Sequence, residues 1–344
     1  MLFITRAIIL SLSAAATVHA HMHLFHPPSF RSDNNPHTKG DPDPRKNYNY
    51  NCCGRTNEVE LCKGYLKLLG TPEGASVADW AAGSKQTFTL SGQPIKSSIE
   101  NPVGGTHSGG SGQIGFSVDN GTTFKAIKTW QGSFPGRHAS PDPNHPENTF
   151  EFNVPADLPN GNAVFAWTWV NRENEFFMDC ASVTITGGND ATPVEPPTSS
   201  KALQPSKGPQ APEQSDGPET VTVTVTVTAG STPSNAPYGR RAKSQLRAEL
   251  AQTNSFSRRA TAFTDLPDML IVDVDKNECK SKPNYNDPVG KTSPIDGKLT
   301  ELLYPNPGPD VVEGDGAYEL APPTGTCKGA SASEYHTGKQ FTQA

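Results

Sequence analysis

Residues 113–127 read QIGFSVDNGTTFKAI, and this stretch decides the fold class. Ile114, Phe116 and Val118 alternate with small or polar residues, the period of two expected of a strand with one buried face. Asp119-Asn120-Gly121 follows, residues that accept the left-handed backbone of a tight turn between antiparallel strands. A second alternating run ends at Ile127, so the stretch predicts a β-hairpin. The pattern recurs in QTFTL (Gln86–Leu90), TFEFNV (Thr149–Val154), AVFAWTWV (Ala163–Val170) and ASVTI (Ala181–Ile185), with Leu158-Pro159-Asn160-Gly161 as a turn. Short strands at this spacing, with few helical patterns, predict an all-β domain. The expected architecture is an immunoglobulin- or fibronectin-like β-sandwich with long loops. The segment CKGYLKLLG (Cys62–Gly70) fits either one helix or an irregular loop.

Outside this region the composition sorts the chain into parts. Residues 1–20, MLFITRAIILSLSAAATVHA, have a positive Arg6, a short apolar stretch and Val18-His19-Ala20 ahead of a cleavage point, which predicts a secretory signal peptide. The apolar stretch is too short to span a bilayer, and the polar end KQFTQA carries no lipid-anchor signal. A secreted, extracellular protein with no membrane segment is expected. Residues 21–186 hold the strands and residues 187–261 form a linker. From about Gly187 to Arg259 the chain turns to Pro, Ser, Thr, Gln and Ala, with too little apolar surface to repay ordering, so a disordered insertion is expected. Within it VTVTVTVT (Val221–Thr228) alternates without an evident sheet to join, and Arg240-Arg241 and Arg258-Arg259 are dibasic pairs suited to processing. Residues 262–328 resume a strand-like pattern in FTDLPDMLIVDV and read as a segment that packs back on the first domain, stapled to it by a disulfide. Residues 329–344 are a polar tail.

The net charge of −6 argues against nucleic acid as a partner. Six cysteines (Cys52, Cys53, Cys62, Cys180, Cys279, Cys327) suit an oxidising compartment and allow up to three disulfides. Bridging neighbours strains the backbone, so Cys52 and Cys53 are expected to take different partners. No paired CxxC spacing supports a zinc site. Asn120-Gly121-Thr122 fits the N-glycosylation pattern on the predicted hairpin turn. Trp80, Trp130, Trp167 and Trp169 are candidate sugar-stacking rings, although Trp167 and Trp169 share a strand face and read as core.

The chemistry gathers around histidine. Cleavage after Ala20 makes His21 the amino terminus of HMHLFHPPSF, with an α-amine and an imidazole on one residue that can close a chelate ring. A second imidazole completes three nitrogens, a donor set that suits copper among the first-row metals. His107 in GGTHSGGSGQ is the candidate, a loop histidine among glycines just before a strand. His23 and His26 lie nearby without a required role. In FFMDC, Phe176 and Phe177 alternate, so one is expected to line the core and the other to face a site near Glu175.

HMHLFHPPSF, GGTHSGGSGQ, FAWTWVNRENEFFMDCASVTI and LYPNPGPDV, in that order, resemble fungal lytic polysaccharide monooxygenases, nearest the chitin-active auxiliary-activity family eleven. The resemblance covers roughly residues 21–186 and 263–311. It implies that His21 and His107 ligate one copper ion cycling between Cu(II) and Cu(I), with O2 or H2O2 as co-substrate and an external reductant. It implies that Glu175 is an acid beside the copper and that Phe177 stands where an axial tyrosine is usual. Gly105 replaces a small residue, and Gly112 stands where the family usually has cysteine, so a familiar disulfide is missing or replaced. The implied substrate is an insoluble polysaccharide, chitin foremost, attacked by a monomeric enzyme. Two other readings share these residues: a non-catalytic copper-binding protein of the same fold, and a cell-wall carbohydrate-binding protein with a glycosylated stalk. Glycoside hydrolysis needs two positioned carboxylates, and no motif among the 35 acidic residues nominates them.

Overall fold

The structure is a computed structural model. It describes residues 21–50, 60–98, 104–106, 109–136, 139–188, 261–274, 278–281 and 300–330. The signal segment, Cys52 and Cys53, His107, the VTVTVTVT run and both dibasic pairs lie outside the described residues.

Two sheets form the sandwich. One has three strands, β1 (His23–His26), β3 (Lys85–Ser91) and β6 (Thr149–Asn153), in the order β1-β3-β6. The other contains β2 (Asp79–Ala81), β4 (Ser111–Ser117), β5 (Lys125–Gln131), β7 (Gly161–Val170), β8 (Phe176–Thr186) and β10 (Asp310–Glu313), in the order β10-β5-β4-β7-β8-β2. A two-stranded sheet pairs β9 (Thr300–Leu302) with β11 (Glu319–Ala321). The predicted hairpin is β4–β5, antiparallel, with Asn120 and Gly121 at positive φ in a turn longer than two residues. Ser117 Oγ, itself donating to Asp119, accepts the Gly121 N–H, and Asp119 accepts the N–H and hydroxyl of Thr123. Both edges of the six-stranded sheet are short parallel additions, β10 on β5 and β2 on β8, which leaves no long open edge to recruit another chain.

The six-stranded sheet is buried on both faces. Along β7 and β8, Phe165, Trp167, Trp169, Phe177, Ala181 and Val183 join the core shared with β1, β3 and β6. The intervening Val164, Ala166, Phe176, Met178 and Cys180 join a second core with Met269, Ile271, Val272 and Val274. Phe176 and Phe177 are therefore both buried, on opposite faces. The expectation that only one of them lines a core holds for a one-faced sheet, not for this one. Trp80 and Trp130, at 3% and 7% exposure, are core residues like Trp167 and Trp169, so none of the four tryptophans is a surface stacking ring.

The segment after the linker supplies that second face. Met269 N–H donates to Phe124 O, Ala126 N–H to Pro267 O and Leu270 N–H to the side chain of Gln113 in β4. No disulfide among the described residues joins it to the earlier strands. Cys279 bonds Cys327 within the segment itself, and Cys62 bonds Cys180. These four cysteines take one another, so none of them is left to partner Cys52 or Cys53. CKGYLKLLG is irregular: Leu61–Leu68 forms 3-10 turns broken by left-handed Cys62, Lys63 and Gly64.

Candidate metal centre

His21 leads directly into β1. Antiparallel pairing with β3 (His23 opposite Ser91, Leu24 opposite Leu90) lays this strand against the first core. A hydrogen bond from Leu24 N–H to Asp179 Oδ2 of β8, 3.0 Å, ties it to the other sheet. His21 is 5% exposed, with its ring edge-on to Tyr48 at 5.0 Å and to Phe177 at 6.2 Å. Tyr48 stands on the irregular segment after Lys46, and its partial burial raises its pKa, with Arg45 pulling the other way. Nothing in the sequence marked it, because the alternation of NYNYN does not tie either tyrosine to His21.

Phe177 is fully buried and stacks on Trp169 at 4.9 Å. The Trp169 indole N–H points at Gly109 O (3.3 Å) and Phe134 O (3.0 Å). A line of rings thus runs from His21 through Phe177 and Trp169 to Gly109, two residues along the chain from His107. His107 itself lies outside the described residues. The loop around it is fastened on both sides. Gly105 N–H donates to Gly92 O before it, and Gly110 N–H donates to Glu301 Oε1 (2.9 Å) after it. Glu301 Oε2 also accepts Ser133 N–H (2.9 Å), and Ser111 Oγ donates to Leu302 O (2.7 Å). Gly110 has φ +111°, and a Cβ there would stand 2.3 Å from Val170 O, so only glycine lets the loop sit this close to β7.

Glu175 lies in the β7–β8 turn, two residues before Phe177. Asn171 organises that turn: its Oδ1 accepts the Glu175 and Glu173 N–H groups, and its Nδ2 donates to Glu175 Oε2 at 2.6 Å. Arg172 of the same turn lies over the Tyr318 ring, 4.8 Å from its centroid. His23 is 2% exposed, neither ring nitrogen has a hydrogen-bond partner, and burial lowers its pKa to about 4 despite the pull of Asp179. Its ring is neutral and packs near Phe25, while His26 ends the strand exposed.

Among the described residues no three His, Cys, Asp or Glu side chains gather as a metal-holding group. The donors at this corner nonetheless fit copper. His21 brings an imidazole and, if the chain is cut before it, an amine on the same residue. Phe177, closing one side, brings no donor.

No family model matches the chain. The chain is 32% identical over 186 residues to AA11 family lytic polysaccharide monooxygenase A of Aspergillus fumigatus, covering 53% of this chain and 72% of that protein. It is 36% identical over 108 residues to monooxygenase B of the same species, covering 26% of this chain and only 24% of that longer protein. Among solved structures, an AA10 lytic polysaccharide monooxygenase from Streptomyces lividans aligns with TM-score 0.30 and 12% identity, over 48% of this chain and 99% of that one. Identity over most of the first relative decides the matter: the chain belongs to the AA11 family of lytic polysaccharide monooxygenases.

Proposed function

We propose that the protein is a secreted, copper-dependent monooxygenase that cleaves an insoluble polysaccharide oxidatively, with chitin as the first substrate to consider. The observation that carries this reading is the setting of His21: buried, held edge-on by Tyr48 and Phe177, at the position that cleavage after Ala20 makes the amino terminus. His21 and His107 would hold the metal. Copper bound there supplies the one-electron chemistry that lets O2 or H2O2, with an external reductant, oxidise a C–H bond beside the glycosidic linkage.

The chain's own residues set the conditions. Phe177 offers the His21 ring an apolar edge where a tyrosine would offer an oxygen. Glu175, held by Asn171 at Oε2, presents a carboxylate in a fixed turn, suited to accept or return a proton. With all four tryptophans in the core, polymer contact falls to the loops around His21.

Copper titration tests the metal assignment. Protein beginning at His21 is expected to bind one Cu(II). Retaining Ala20 ahead of it, or substituting His21→Ala, is expected to weaken binding at least tenfold, on the order seen when metal sites lose a supporting group. Equal affinity in all three proteins would remove His21 from the site.

A further inference from the structure

A buried charge cluster lies beside the His21 corner. Asp179 is fully buried on β8, two residues after Phe177. Its Oδ1 lies 2.7 Å from Lys46 Nζ and 3.4 Å from Lys63 Nζ, and both lysine side chains are shielded from solvent. Burying such charges is weak evidence for stability, because desolvation offsets the attraction. A positional role explains their placement better.

The two lysines differ in what else they touch. Lys46 pairs closely with Asp179 and faces the Tyr65 ring at 5.5 Å. Lys63 reaches a row of backbone carbonyls: those of Lys46, Tyr48 (3.1 Å) and Arg45 (3.4 Å). These carbonyls belong to the segment that carries Tyr48 against the His21 ring. The other oxygen of Asp179 accepts Leu24 N–H, three residues from His21. The Cys62–Cys180 disulfide joins the immediate neighbours of Lys63 and Asp179, so a covalent bond sets ammonium against carboxylate.

We propose that Asp179 and Lys63 are positioning residues for the His21 metal site: Asp179 fixes the strand behind His21, and Lys63 fixes the segment that packs Tyr48 against its ring. This rests on the reading of His21 as a copper ligand. Lys46 shares the carboxylate but none of the carbonyl contacts, which makes it an internal control.

The test uses the full chain beginning at His21, as parent, Lys63→Met, Lys46→Met and Asp179→Asn. The His21 imidazole resonances and Leu24 amide protection are recorded by NMR without metal. Cu(II) affinity and the Cu(II) EPR spectrum follow. Lys63→Met is expected to shift the His21 resonances, lower Cu(II) affinity about tenfold and change the EPR spectrum. Asp179→Asn is expected to reduce Leu24 protection. Lys46→Met, which removes a partner of Asp179 but no carbonyl contact, is expected to lower Tm and to shift the His21 resonances, affinity and spectrum less than Lys63→Met does. If both lysine variants lose Tm and neither moves the resonances or the affinity, the cluster is structural only and the proposal falls. Should Lys63→Met not fold, Lys63→Arg keeps the charge but not the geometry of the carbonyl contacts, and unchanged His21 resonances there overturn the proposal equally. A parent that takes up no copper would overturn the metal reading alone, since the metal-free resonances still decide whether the cluster positions His21.

Discussion

At the residue scale, Asp179 shows how one buried charge governs its surroundings. Burial alone would raise its pKa; the Lys46 and Lys63 ammoniums outweigh that and hold the carboxyl below the ordinary value. A carboxyl depressed in the folded state contributes stability above its unfolded pKa and loses it as pH falls through its folded pKa. Urea midpoints of the metal-free protein are therefore expected to fall as pH drops below about 4, and Asp179→Asn should flatten that part of the profile. Asp179→Ala, which strands two buried ammoniums, is expected to cost about 3–5 kcal/mol in urea denaturation. The proposal for His21 starts from a cleavage point, which is a local signal in the sequence. Asp179 gave half a signal: a charge inside FFMDCASVTI demands a partner, but nothing in the sequence selects Lys46 and Lys63. Tyr48 gave none.

At the element scale, β4 and the loop before it show what glycine is for. Gly112 stands where the resemblance implies a cysteine, and a Cβ there would meet Phe134 Cε1 at 2.5 Å. The Phe134 ring, packed on Trp130 at 4.9 Å, occupies the space that a side chain at 112 would take. Gly112→Ala is expected to lose about 1–3 kcal/mol, read from the thermal or urea transition; an unchanged transition would mean that Phe134 moves freely. The loop's other fastening, Glu301, accepts two backbone N–H groups from within a buried site. Glu301→Ala leaves both unsatisfied and is expected to cost about 2–3 kcal/mol, with faster hydrogen exchange at Gly110 and Ser133 as the local signature. The alternation that announced β3, β4 and β6 was readable. In β7 and β8 both faces are buried, so periodicity could not say which ring met which core. The three- and four-residue edge strands β2 and β10 are too short to register as a pattern.

At the scale of the whole molecule, the two cores come from different parts of the chain. The first is built from residues before 187 with Phe263 and Leu266, while the second depends on Met269, Ile271, Val272, Val274, Leu302 and Tyr304. A chain ending at Gly188 would expose the second face of the six-stranded sheet and lose β10. It is expected to lack a cooperative thermal transition by circular dichroism, whereas a melt like that of the full chain would show the first core to be sufficient. The sandwich was legible from strand spacing. The way the returning segment is held was not, because backbone pairing and a glutamine hydrogen bond leave no mark in composition, and in place of the expected staple Cys279 and Cys327 bond each other.

The proposed copper-dependent oxidation of a polysaccharide at His21 and His107 has a direct chemical readout. Protein beginning at His21, loaded with copper, would be incubated with chitin and a reductant, and the soluble fraction analysed by mass spectrometry. Oxidised chito-oligosaccharides that vanish with His107→Ala are expected. Their absence from a demonstrably copper-loaded sample would contradict the proposal and leave a copper-binding protein that does not cleave chitin.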